Sequence, residues 1–216
     1  MATWLRSHPR TSYALVVAPS RGHHGHVAGD VQFEGRPDGT VVGKDRSSVM
    51  MFFALTNCPD EVLRLDLGGG VQQITGTASH HVLSSSVLDG WSGFLLTGDV
   101  LYPGRLCIQD MAAFACSLDR ILGLVASGRV RHVMDAHIEM SRTARWDYPP
   151  GATCQHDEPS LQMSIEQLRG LGDGAVSIAN CPGAHVLDEF AMFHGPCRPA
   201  IAHQRARDLW GSLCRS

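Results

Sequence analysis

Four short stretches carry side chains that ligate metals: Arg21-Gly22-His23-His24-Gly25-His26, His80-His81, Thr97-Gly98-Asp99 and Ala136-His137. Imidazole and carboxylate are the ligands that zinc prefers, and a catalytic zinc keeps one position open for water. Two such ions about 4 Å apart share a carboxylate and a hydroxide, polarise a carbonyl and hold the developing oxyanion. A site of that kind needs ligands from distant parts of the chain, each projecting from a different strand end toward one point. Taken singly, each stretch has a plainer reading as well. A His-rich loop serves as a polar turn, a lone histidine as a loop residue, and an aspartate after an apolar strand as a turn cap. Their order and flanks decide between these readings.

The elements that must position them follow from pattern. Residues 12–18 form a short apolar run with β-branched members, stopped by Pro19, and read as a buried strand. The His/Gly cluster then occupies the loop at that strand's C-terminal end. A short helix is expected over 27–33, a strand over 39–43, and a helix capped by Asp45 through Met50, Phe52 and Phe53. Strands are expected over 61–67, 71–77, 84–88 and 93–97, the last after the Asp89-Gly90 turn. From Asp110, residues Met111, Phe114, Leu118, Ile121, Leu122 and Val125 make one helical stripe, ended by Gly128. A strand over 130–134 runs into Asp135-Ala136-His137. Residues 141–158 read as a long loop, and Pro159 opens a helix with Leu161, Ile165 and Leu168 inward. A late strand is expected within 184–193, and a basic helical tail from Arg198. Strands first and a helix–strand–helix run afterwards suggest a layered α/β sandwich in one domain over 1–216.

Bulk properties narrow the functional classes. The chain has 216 residues and a formal charge of −3, giving no electrostatic case for nucleic acid or an anionic membrane surface. Its apolar runs are too short to span a bilayer, and the N-terminus lacks a signal-peptide layout, so a cytoplasmic location is expected. Cys58, Cys107, Cys116, Cys154, Cys181, Cys197 and Cys214 include no Cys-x-x-Cys pair. That disfavours zinc knuckles and a disulfide framework and favours buried thiols. Twelve histidines are the compositional anomaly, and their clustering points to metal.

The chain resembles the metallo-β-lactamase superfamily, near its glyoxalase-II-like members. The resemblance runs from about Tyr13 to Gln167. It is densest over Val27-Ala-Gly-Asp30, Gly93-Phe-Leu-Leu-Thr-Gly-Asp99, Tyr102-Pro-Gly-Arg105 and Ala136-His-Ile-Glu-Met140. It implies an αβ/βα sandwich and a zinc-dependent hydrolase of a small-molecule ester, thioester, lactone or amide, acting through a metal-bound hydroxide with one or two Zn2+. The family motif His-x-His-x-Asp-His falls on Arg21 to His26, so His23 and His26 match while Arg21 and Gly25 replace a histidine and an aspartate. The resemblance assigns His80 as the next ligand, Asp99 as the bridging carboxylate and His137 as the last ligand. One metal would then keep His23, His80 and Asp99, and the other His26, Asp99 and His137. The aspartate missing at Gly25 would also orient water, and His24, beside it, is the one candidate to substitute. Glu139 either orients a ligand imidazole or forms a surface salt bridge. Tyr102 and Arg105 either line a pocket or hold a loop. The family's β-rich segment before the first-motif strand is short here. Part of the N-terminal sheet is therefore expected to be missing, with an exposed edge suited to homo-oligomers. The rival expectation is a degenerate, non-catalytic member that binds one metal or none.

Overall fold

The computed structural model describes residues 14–57, 59–78, 81, 83–149 and 151–195. Strand β1 (Leu15–Val17) leads into a short helix α1 (His24–Val27), then β2 (Gly39–Val41) and helix α2 (Arg46–Phe52). Strands β3 (Val62–Asp66), β4 (Val71–Gly76), β5 (Ser85–Asp89) and β6 (Phe94–Gly98) follow as an antiparallel meander. After β7 (Arg105–Ile108) come helix α3 (Met111–Ala126), β8 (His132–Asp135), β9 (Gln162–Met163), helix α4 (Ile165–Ile178), β10 (Gly183–Val186) and β11 (Ala191–His194). Three sheets result: β1-β2, β10-β11-β7, and a six-stranded sheet ordered β3-β4-β5-β6-β8-β9.

Alternation along the strands gives the large sheet two different faces. Leu88, Leu95, Val133 and Met163 are cross-strand neighbours, all buried, and join Phe114, Leu118 and Ile121 of α3 and Leu168, Leu171 and Ala175 of α4 in one core. The β7 and β11 residues Leu106, Ile108 and Met192 belong to the same cluster. On the opposite face, Leu63, Ile74, Val87, Leu96 and Met134 align in one row across five strands. That face is only partly covered: Leu96 is 45% exposed and its neighbour Phe94 39%. Among the described residues the N-terminal sheet contains β1 and β2 alone.

Several expected boundaries move, each for a local reason. The first helix begins at His24 rather than at Val27, and a single 3-10 turn over Asp30–Gln32 follows it. Helix α4 starts at Ile165, not Pro159, because Ser164 and Gln167 form a reciprocal capping box there: the Gln167 backbone N–H donates to Ser164 Oγ at 3.1 Å, and the Ser164 N–H donates to Gln167 Oε1 at 2.7 Å. Met163 is therefore a strand residue, paired with Val133. The late strand is a hairpin, β10 with β11, and β7 has no pattern long enough to announce itself. Asp45 and Asp110 cap α2 and α3 as expected, accepting from Ser48 N and Ala113 N at 2.9 Å each. Cys116, Cys154 and Cys181 are exposed rather than buried: Cys116 sits on the solvent side of α3, Cys154 in the long loop, and Cys181 beyond α4. The basic tail from Arg198 lies outside the described residues. Among those described, no helix is long and apolar enough to cross a membrane.

The capping box at α4 gives a direct test of that helix start. Ser164→Ala should lower stability by about 1 kcal/mol, read by chemical denaturation at constant slope. An unchanged midpoint would show that α4 does not depend on this cap.

Candidate metal centre

Asp99 and His137 sit just beyond the C-terminal ends of β6 and β8, and His26 lies in α1, which the loop after β1 leads into. The loop after β1 is held to the large sheet by the Ser85 N–H, which donates to the Ser20 carbonyl at 3.1 Å. Gly22 is needed there: a Cβ would lie 3.0 Å from the His81 ring and 3.1 Å from the Lys44 carbonyl. The chain then enters α1, whose first turn closes with His26 N–H to His23 C=O at 2.9 Å. Asp99 is aimed by the end of β6. Thr97 is fully buried, with its hydroxyl 3.0 Å from both the Leu101 and Met134 carbonyls, which ties β6 to β8. Next, Gly98 adopts φ +58 and the β6–β8 register slips between Leu96 and Gly98. A side chain at 98 would be strained in that conformation. The bend turns Asp99 out of the sheet toward α1 and the end of β8.

Three of the candidates converge. Ligand atoms of His26, Asp99 and His137 lie within 4.8 Å of one another. Asp99 Oδ1 is 3.3 Å from His137 Nε2 and 3.8 Å from His26 Nε2. His26 Nδ1 lies 3.5 Å from Ser20 Oγ, a contact on the far side of the ring that keeps Nε2 directed at Asp99. The second carboxylate oxygen, Oδ2, pairs with the Arg21 guanidinium. Both side chains of that pair are nearly buried, Arg21 at 11% and Asp99 at 9% exposure.

The other candidates stand elsewhere. His23 packs edge-on against His81, ring centroids 4.8 Å apart, and is outside the convergent group. His81 Nδ1 accepts the Leu83 N–H at 3.2 Å, so it works as a loop anchor. His24 is exposed on α1 and also outside the group. His80 lies outside the described residues. At Gly25, where the resemblance would place a carboxylate, a Cβ would meet nothing within 4 Å. Tyr102 and Arg105 hold the loop rather than line a pocket. Tyr102 Oη donates to the Arg105 carbonyl at 2.7 Å, and Arg105 pairs with Asp147 at 2.9 Å and Glu139 at 3.2 Å. Glu139 is therefore a salt-bridge partner and not a direct support for the His137 ring. The buried Tyr102 ring itself packs edge-on at 5.4 Å from that imidazole.

Protonation follows from these contacts. Burial works to raise the Asp99 pKa, but the hydrogen bond from His137 and the charge of Arg21 outweigh it, and the carboxyl stays below its usual range. The same bond to Asp99 raises His137 despite partial burial. His26 moves the other way: burial, reinforced by Arg21, lowers it and favours the neutral ring a metal needs. These groups fit a divalent cation. The donor set is imidazole, imidazole and carboxylate, and the buried Asp99 Oδ1 faces both rings. His26, Asp99 and His137 would hold the ion, leaving positions open.

Asp135, two residues before His137, is a feature the sequence pattern did not flag. Burial pushes its pKa up to about 7, only partly offset by the backbone N–H and charge of His137. Its carboxylate oxygens are buried without a well-formed hydrogen bond. Because the folded pKa lies above the ordinary 3.8, its contribution to stability is full below about 4 and is lost as pH rises through about 7. In chelator-treated protein, Asp135→Asn should raise Tm at pH 8 and do so less at pH 5. Equal shifts at the two pH values would show that ionisation is not the cost.

No family model matches the sequence, and no curated protein does. Solved structures do match. The stereoselective inverting sec-alkylsulfatase Pisa1 from Pseudomonas sp. superposes with a TM-score of 0.50 at 12% identity, over 83% of this chain and 35% of that one. A metallo-β-lactamase superfamily protein from the archaeon Sulfolobus tokodaii gives 0.48 at 14% identity, over 94% and 81%. ETHE1 from Myxococcus xanthus gives 0.42 at 18%, over 96% and 82%. The chain spans about a third of the alkylsulfatase's length. The chain shares the fold of the alkylsulfatase over the matched residues, a layered α/β arrangement with Asp99 and His137 at the ends of β6 and β8.

Proposed function

We propose that this protein is a metal-dependent hydrolase of an ester, thioester, lactone or amide, with zinc as its cation. The observation that carries this is the convergence of His26, Asp99 and His137, residues far apart in sequence, within 4.8 Å at one edge of the large sheet. When bound there, a divalent cation supplies Lewis-acid polarisation of the scissile carbonyl and acidifies a water. The chain's own groups do the rest. His26 presents a neutral Nε2, held by the contact of Nδ1 with Ser20. Asp99 offers Oδ1, and the bend at Gly98 keeps that oxygen out of the sheet. His137 must release the proton it shares with Asp99 before Nε2 can ligate.

A second reading, a non-catalytic member of the fold, is favoured by Gly25, where no carboxylate is present to orient water, and by the Arg21 charge on Asp99. Metal content and turnover separate the two. Purified protein should take up zinc and hydrolyse a member of a substrate panel covering thioesters, lactones and an alkyl sulfate, the class acted on by one fold neighbour. Asp99→Ala should abolish both zinc uptake and turnover. Zinc uptake without turnover on the whole panel would support the second reading. Turnover unchanged in Asp99→Ala would sink the first.

Two further outcomes follow from the geometry. Zinc affinity should rise with pH through the elevated His137 pKa, with proton release seen by calorimetry in buffers of different ionisation enthalpy; a pH-independent affinity would exclude His137 as a ligand. Gly25→Asp has room for its side chain. It should raise turnover by about a hundredfold, the low end of what a positioned acid–base group contributes. No gain would show that water is oriented by another group.

A further inference from the structure

We propose that the Arg21 guanidinium is a built-in cation that takes the place of a second metal, so that this centre holds one divalent ion and no more. The inference rests on the reading that His26, Asp99 and His137 hold a metal. Its structural basis is the way Asp99 divides its two oxygens. Oδ1 faces His26 and His137, and Oδ2 faces Arg21. A carboxylate shared between two cations directs one oxygen to each. Here one side is a pair of imidazoles, and the other is already a cation.

Three properties make the arrangement permanent rather than incidental. Arg21 is as deeply buried as the carboxylate it meets, so solvent screens the pair only weakly. Guanidinium does not deprotonate in proteins, so no accessible pH vacates the position, as it would with histidine or lysine. Among the described residues, no set of donors faces Oδ2 while Arg21 holds it. His23 is turned against His81, and among the described residues the one group of three or more potential ligands is His26, Asp99 and His137. A second divalent ion at Oδ2 would stand against a fixed positive charge in a partly dry site, where Coulomb repulsion is strong. Arg21 thereby supplies charge beside the metal without occupying a coordination position on it. Its Nε is buried and has no hydrogen-bond acceptor among the described residues.

Zinc stoichiometry of the full chain tests this without reference to catalysis. Protein stripped with chelator, dialysed against zinc and measured by elemental analysis should contain one equivalent. Arg21→Lys keeps a cation and should also contain one. Arg21→His removes the fixed charge, adds an imidazole and should contain two, with circular dichroism confirming the fold of each variant. One equivalent in all three proteins would overturn the role given to Arg21 while leaving the metal centre intact. Two equivalents in the wild type would overturn it as well. No zinc in the wild type and one in Arg21→His would show that Arg21 bars metal altogether, which also overturns it. No zinc in any of the three would remove the metal centre itself.

Discussion

The buried carboxylate of Asp99 is the constraint around which the rest is arranged. A lone carboxylate at 9% exposure is costly unless paired, because ionised groups lose several kcal/mol of solvation on burial. Asp99 is compensated on two sides, by Arg21 at Oδ2 and by the imidazole pair at Oδ1. Those partners come from the loop after β1, from α1 and from the end of β8. The carboxylate therefore joins the small N-terminal sheet to the large one at the edge where neither has a continuous core. The buried Thr97 hydroxyl and the bend at Gly98 belong to the same arrangement, since a one-residue slip in β6 would turn Asp99 to the other face. A structural debt and a functional opportunity coincide here: the interaction that closes the edge also concentrates ligands.

The parts of this picture that were legible in the sequence are those governed by periodicity. The stripe Met111, Phe114, Leu118, Ile121, Val125 predicts α3 within a residue or two, and the caps Asp45 and Asp110 predict where helices begin. Strand ends predict that Asp99 and His137 share an edge. Periodicity says nothing about how a loop side chain turns, and there the reading stops. His23 and His26 are equivalent as letters in a His-rich loop. The first packs edge-on against His81, while the turn of α1 carries the second to Asp99. His24 lies on the outer side of that one-turn helix, a consequence of a helix start three residues earlier than the pattern suggests. Asp135 was invisible because its peculiarity is burial without partners, and a single letter after an apolar strand does not carry burial.

The same edge explains the asymmetry of the large sheet. Its helix-covered face is closed by Leu88, Leu95, Val133 and Met163, whereas the row from Leu63 to Met134 meets little beyond the region of α2. Among the described residues β1 and β2 form a separate two-stranded sheet in parallel register. The segment after β1 carries Arg21 and His26 to Asp99, so the small sheet anchors the loop from which two of the groups facing that carboxylate come.

The two departures from the family motif at Arg21 and Gly25 can be weighed together by charge. Arginine in place of a neutral histidine adds one positive charge, and glycine in place of aspartate removes one negative charge. Together they shift the loop by the charge of one divalent cation. A centre with this loop and one metal therefore has the same total charge as a centre with the family loop and two. Had only the aspartate been lost, two metals would stand underneutralised. Had only the arginine been gained, it would compete with a full set of ligands. With both, and on the proposed one-metal reading, the field at Asp99 would be balanced by a guanidinium and a single ion, with one carboxylate oxygen for each. The two substitutions damage the motif when counted as letters, yet they are mutually compensating when counted as charges.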